Sequence, residues 1–244
     1  GPLRMAGITV VIVLMTGLYA QDVVIFGLYR VFEIGVGILC AFFVSILVFP
    51  KRKVDMLKAA LLQQAKECAE RCLILVDAFI SKQKNVEESP VAKLVNDALG
   101  NYSLLEKADR HESLIYRKKF HEDLSLKVSV LSRSTGHLRN MVRALNALDD
   151  DGYEIILSPE IRKLAEKIGN ALVMLINNEP LTVATNELER IVADLDGKLI
   201  RLRKDGLIRR FDYKRMIQVF SFISSLFYFT DDILSGMKKV IKDH

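Results

Sequence analysis

The stretch that decides the fold is Val31 to Phe49, VFEIGVGILCAFFVSILVF, closed by Pro50 and then Lys51-Arg52-Lys53. It is 19 residues long with Glu33 as its single charge. A helix rises 1.5 Å per residue and needs about 20 apolar residues to cross a hydrocarbon core. With Val23 to Tyr29 in front the helix reaches about 27 residues, roughly 40 Å, enough to span with tilt. The basic flank places its far end on the cytoplasmic side by the positive-inside bias, and residues 51–244 follow as a cytosolic part.

Upstream, Gly7 to Tyr19 (GITVVIVLMTGLY) is uncharged but only 13 residues long, too short to cross alone. Gly1-Pro2 stands directly before it. The simplest reading is a chain cut inside or just before a transmembrane helix, predicted over about 4–20, with the dipeptide as an appended scar as the alternative. A secretory signal peptide is the rival, and Arg4 with the run to Ala20 fits that pattern loosely. The connection at Ala20-Gln21-Asp22 is short enough only for a hairpin, which puts it on the outer side and returns Arg4 to the cytosolic side.

Composition agrees with this division. Half of the 244 residues are apolar, 27% are charged and the net charge is +5. Of the 35 Lys and Arg and 30 Asp and Glu, only Arg4, Asp22, Arg30 and Glu33 precede residue 51. An apolar block ahead of a normally charged one excludes an ordinary soluble domain, a disordered chain and a disulfide-stapled module. Three cysteines without framework spacing, Cys40, Cys68 and Cys72, indicate a reducing, cytosol-facing compartment. Acidic and basic residues are interspersed after residue 50, so no nucleic-acid partner is expected.

Within the second span Gly37, Ala41 and Ser45 recur every four residues, a small-residue stripe that lets another helix approach closely. Small residues are also simply common in membrane helices. Arg30 and Glu33, three apart and so on one face, mark either a path or bundle contact, or interfacial anchoring with Arg30 reaching for the headgroups.

After the basic flank, Val54, Leu57, Leu61, Ala65, Cys68, Cys72, Leu75 and Phe79 keep helical spacing and predict one long amphipathic helix. A polar break at 83–90 ends in Ser89-Pro90, a helix start. The pattern returns as Phe120, Leu124, Val128, Leu131, Thr135, Leu138, Val142 and Leu145, close to a heptad seam, and Asp149-Asp150-Asp151-Gly152 ends it. Residues 153–157 read as loop. Ser158-Pro159-Glu160 reads as an N-cap with Pro at the first helical position. Helices are then predicted over 159–177, 183–204 and 212–241, punctuated by Asn177-Asn178-Glu179-Pro180 and Asp205-Gly206. Met216 to Phe229 is apolar on nearly all sides but only 14 residues long, which suits a buried central helix or one near the bilayer better than a third span. The fold class is therefore all-α: two transmembrane helices over 1–50 and a bundle of long antiparallel helices over 51–244.

Motifs for enzymatic chemistry are missing: no phosphate loop, H-E-x-x-H, zinc-type cysteine pairs or G-x-S-x-G occurs. No catalytic residue, metal or cofactor is expected. Cys68 and Cys72 share a helix face but lie on the apolar stripe, where packing is the better reading than ligation. The segment around His137 superficially resembles a phosphoacceptor helix, but Leu138 and Arg139 follow it and no nucleotide-binding signature exists downstream. His111, His121 and His244 lie in polar settings and read as solvated, and Asp231-Asp232 reads as surface charge.

Arg30, then Glu33 to Gly37 (EIGVG), an apolar run and Val48-Phe49-Pro50 before a basic stretch resemble the last transmembrane helix of the fusaric acid resistance and aromatic acid exporter family, related to the plant aluminium-activated malate channels. GITVVIVLM resembles that family's penultimate helix. The likeness covers residues 4–60 in sequence and the remainder in architecture. It implies a C-terminal part of a transporter or channel of a bacterial inner membrane that exports organic anions such as aromatic carboxylates through a bundle of about six helices per module. Partners implied are membrane lipid, the anion, further copies in a homo-oligomer and, in bacterial members, a periplasmic adaptor protein. Arg30 and Glu33 would lie on the substrate path, while Gly35, Gly37, Ala41 and Ser45 would serve helix packing. The reading from a different class is a membrane-anchored helical scaffold or signalling protein with two spans.

Overall fold

The computed structural model describes residues 23–48, 53–83, 85–112, 118–147, 157–204 and 213–243. All regular structure among them is helical: α1 (Val23–Val48), α2 (Lys53–Ile80), α3 (Ser89–Glu112), α4 (Lys118–Asn146), α5 (Ser158–Asn177), α6 (Thr182–Lys204) and α7 (Tyr213–Asp243). The first span predicted over 4–20, the loop over 153–156 and the acidic run 149–152 lie outside the described residues. The chain divides into two compact units, Gly1–Lys51 and Arg52–His244.

In the first unit α1 is one continuous helix of 26 residues, about 39 Å long. Arg30 and Glu33 are its only charges, and Leu28, Phe32, Ile38, Phe42 and Phe43 are exposed on its surface.

The second unit is a helical bundle whose core is drawn from the seams expected of it. Val54, Leu57, Leu61, Ala65, Cys68, Cys72, Leu75 and Phe79 of α2 are all buried, as are Leu124, Val128, Leu131, Thr135, Leu138, Val142 and Leu145 of α4. Thr135 tolerates this position because its hydroxyl donates back to the Ser132 carbonyl at 2.8 Å, so no polar group is left bare in the core. Cross-helix partners establish antiparallel neighbours. Asp77 meets Arg162 and Ala69 meets Gly169 between α2 and α5. Gln218 reaches the Ala147 carbonyl and Asp232 reaches Arg133 between α4 and α7. Phe79 of α2 stacks on Phe222 of α7 with ring centroids 4.0 Å apart.

Connections are closed by named groups. Asn146 donates to the Val86 carbonyl at 3.0 Å and accepts from the Val86 N–H at 2.9 Å, so one amide satisfies both backbone groups of Val86 and pins the α2–α3 connection to the end of α4. Asn178 ends α5 in the left-handed region at φ 59°, and the Glu179 N–H returns to the Met174 carbonyl, the usual way a helix satisfies its last carbonyls. The expected Ser158 cap needs correction. Ser158 is already helical and the cap position falls on Leu157, which has no side-chain oxygen to offer. The hydrophobic Leu157, itself buried in the core, starts the helix by packing instead.

Met216–Lys242 in α7 is long and apolar enough to cross a membrane by length and composition. In this bundle Phe222, Leu226, Phe229, Ile233 and Met237 of that helix are fully buried core.

Between α5 and α6, Lys198 donates to Glu160 at 2.9 Å and also meets Asp194. The Lys198 hydrogen bond holds the Glu160 carboxyl below its ordinary value, and the same bond raises Lys198. A lowered carboxylate contributes stability above its unfolded pKa and loses it as pH falls through the folded value; a raised lysine contributes below its unfolded pKa and loses it as pH rises through the folded value. The link should therefore act fully between about pH 4.3 and about pH 10.4 and fade on both sides. Melting curves of the chain and of Glu160→Gln should differ at pH 7 and converge as pH falls through the lowered Glu160 value; a difference that persists unchanged at low pH would assign the effect to packing.

Candidate functional site

The sequence directs attention first to α1. Arg30 and Glu33 are one turn apart, and the Arg30 Nη1 donates to the Glu33 Oε2 at 2.9 Å. Their side chains are 42% and 64% exposed, so the pair stands out from the helix as a short-range dipole on an otherwise apolar surface. Separating such a pair in a low-dielectric medium is costly, and a cation there attracts any anion that replaces its carboxylate.

Gly35 and Gly37 leave open surface: a Cβ built at either meets no heavy atom within 4 Å among the described residues. Ala41 is exposed, and the Ser45 side chain lies outside the described residues. Gly35, Gly37 and Ala41 thus leave open surface on α1 on which another helix could seat closely.

The second unit contains polar groups that sequence reading passed over. Asp232 is not ordinary surface charge. Its Oδ2 lies 2.8 Å from the His137 Nε2 and its Oδ1 2.8 Å from the Arg133 Nη1. The His137 and Asp232 side chains are only 18% and 20% exposed, and the imidazole lies beside the rings of Tyr228 and Phe229, with centroids 6.3 Å and 6.2 Å away. One carboxylate of α7 thereby ties two turns of α4 together, with the aromatic flank excluding water on one side. Arg133 and His137 at i and i+4 are visible in the sequence as a single face. Their acidic partner, 95 residues further on for His137, is not.

Lys127 is a second such group, 2% exposed. Its ammonium donates to Asp123 at 2.8 Å and to the side-chain oxygen of Asn178. Gln64 and Asn101 form a third: Asn101 donates to Gln64 at 2.6 Å and Gln64 to the Leu94 carbonyl at 2.9 Å, joining α2 to α3. These are satisfied buried networks, which specify helix register.

Cys68 and Cys72 are buried and free. Burial pushes the Cys72 thiol up to about 12 and raises Cys68 as well, so neither is a thiolate at neutral pH and both act as small apolar groups. Among the described residues no group of three His, Cys, Asp or Glu is placed to hold a metal ion. Two grooves run between α4 and α7. One, of about 460 Å³, is lined by His121, Glu122, Arg133 and Lys239 among others. The other, of about 680 Å³, is lined by Asn140 and Arg143 of α4 and by Ile217, Phe220, Ser224 and Tyr228 of α7 among others.

Compared with known proteins, residues 3–213 match the model of the fusaric acid resistance protein family. No curated protein matches the chain.

Proposed function

The chain belongs to the fusaric acid resistance protein family, a family of membrane transporters associated with efflux, and from that premise we propose that it is part of a transporter or channel exporting organic anions such as aromatic carboxylates. In this reading α1 spans the membrane, a further span precedes it, and residues 51–244 form a cytosolic helical domain. The membrane is a bacterial inner membrane. The chain works with lipid, with further copies of itself and with a periplasmic adaptor protein, and it catalyses no covalent reaction.

The observation that carries the reading is the Arg30–Glu33 pair at 2.9 Å on a 26-residue helix with no other charge. A carboxylate crossing a low-dielectric core needs compensating positive charge. Arg30 supplies it, and its planar fork matches carboxylate geometry. Glu33 neutralises Arg30 while no substrate stands there, so the guanidinium is exchanged between one carboxylate and another rather than stripped bare. Gly35, Gly37, Ala41 and Ser45 let a neighbouring helix approach closely enough to wall the passage.

The test is efflux of a panel of aromatic carboxylates from vesicles holding the intact protein, with Arg30→Gln compared at equal membrane abundance. A charged hydrogen bond is worth about 1.5–3 kcal/mol, so saturable efflux should fall by about tenfold or more. Unchanged efflux in the variant would reduce Arg30 to an interfacial anchor. No efflux from either protein would favour a membrane-anchored helical scaffold.

A further inference from the structure

Of the two grooves between α4 and α7, the larger differs from the smaller in the charges that line it. In the smaller groove basic side chains have acidic company: Arg133 pairs with Asp232, the His121 Nδ1 lies 3.3 Å from Asp109, and Glu122 lines the wall. Among the described residues lining the larger groove there is none. From Leu124 to Asn146 α4 carries no acidic residue, and from Met216 to Thr230 α7 carries no charge of either sign. Arg143 lines this groove and is exposed, and its guanidinium makes no hydrogen bond or ion pair among the described residues. Its guanidinium stands beside uncharged hydroxyls and amides that could complete a coordination shell for an anion but cannot neutralise it.

The rest of the lining is apolar and partly aromatic. Ile217, Phe220 and Tyr228 are 48%, 39% and 62% exposed. The antiparallel register sets Arg143 between them. Gln218 reaches the Ala147 carbonyl on one side of it, and Tyr228 lies beside His137 on the other, so Arg143 faces the Ser221 to Ser224 turn midway along the groove. A ligand held there meets a planar cation and serine hydroxyls at its centre and an aromatic ring about one helical turn, roughly 5 Å, away. The volume of about 680 Å³ is within the range of small-molecule sites, about 300–1,000 Å³.

We propose that the groove between α4 and α7 is a binding site for a planar organic anion, an aromatic ring bearing one carboxylate. Arg143 and Ser224 hold the carboxylate, and Tyr228 or Phe220 takes the face of the ring. The site is built from α4 and α7 alone and stands whether or not α1 forms a passage.

The protein has seven methionines and no tryptophan, and Met216 lines this groove. The intact chain, labelled with ¹³C-methyl methionine in lipid nanodiscs, is titrated with 1-naphthoate, whose ring current reports proximity. The expected result is a saturable shift of the Met216 methyl with Met56, Met174 and Met237 unmoved. Arg143→Gln should weaken the response about tenfold or more, while Arg139→Gln, one turn away on α4 and outside the groove lining, should leave it unchanged. The unmoved methionines report that each variant is folded. Neutral 1-naphthamide on the unaltered chain tests the charge requirement without any substitution. A Met216 shift that is absent, that naphthamide reproduces at equal concentration, or that survives Arg143→Gln overturns the proposal. Decanoate acting as strongly as naphthoate overturns the aromatic assignment in favour of a lipid-derived anion. Loss of efflux in Arg30→Gln with the Met216 response intact would separate this site from the passage.

Discussion

Gly169→Ala is expected to destabilise the bundle by about 1–3 kcal/mol, although replacing a glycine inside a helix by alanine ordinarily stabilises by about 0.5–1 kcal/mol. The sign is reversed by contact. A Cβ added at Gly169 would lie 2.9 Å from the Ala69 Cβ and 3.4 Å from its Cα. Neither atom is the end of a flexible side chain, so α2 and α5 would have to separate, and this is one of the two most extensive helix contacts in the bundle. In a domain of this size each kcal/mol is worth about 2–4 °C of Tm. Ala69→Gly in the same chain should restore most of the loss, because the pair then swaps which helix carries the methyl. The residual deficit would be the glycine cost now borne by α2. Gly236→Ala provides a contrast. Its added Cβ would meet the Val130 and Leu175 methyls at 3.0 Å and 3.2 Å, which are side-chain ends that can give way, so a smaller loss is expected. Equal Tm values for the Gly169→Ala and unaltered chains would show that the helices are not in close contact there.

Lys127→Ala should cost about 2–5 kcal/mol, the range for emptying the space of a buried long side chain, because the lysine is 2% exposed while Asp123 keeps 28% of its side chain in solvent. The ammonium is the shared donor to Asp123 of α4 and Asn178 at the end of α5. Without it the Asp123 carboxylate loses its compensating charge, the Asn178 side-chain oxygen loses its donor, and the volume of the lysine stem is left empty. Lys127→Met fills the volume without the charge and should recover part of the loss. Lys127→Met combined with Asp123→Leu removes both charges and should recover more, since a buried pair replaced by apolar groups of similar volume is often neutral. Chemical denaturation of the four chains measures each step. A Lys127→Met variant as unstable as Lys127→Ala would assign the whole effect to charge, and one as stable as the parent would assign it to packing.

How far the fold could be read in advance depends on the kind of interaction. The buried seams of α2, α4 and α5 were legible because a 3.6-residue period is written along one stretch of chain: each of Leu57, Leu61, Leu131, Leu138, Leu164 and Leu172 announces its face through neighbours three and four places away. Helix ends signalled by glycine-like turns were also legible, as at Asn178. The start of α5 was misread by one residue because Ser158 satisfies the capping rule locally, whereas the burial of Leu157 against the core is decided by the other helices.

Candidate residues divide along the same line. Arg30 and Glu33 could be paired from their spacing, since a helix places i and i+3 on one face, and the structure joins them at 2.9 Å. Asp232, Lys127 and Arg143 could not be recognised. Their significance depends on which side chains of α5 and α7 stand opposite α4, and helical periodicity carries no information about register between helices far apart in sequence. The residues of α2, α4 and α5 specify, each from its own neighbours, that they are helices and which face turns inward. Whether a charged side chain on those helices ends up paired, as Asp232 is with His137 and Arg133, or left facing an uncharged wall, as Arg143 is, was decided only when close contacts such as Gly169 on Ala69 set the helices in register.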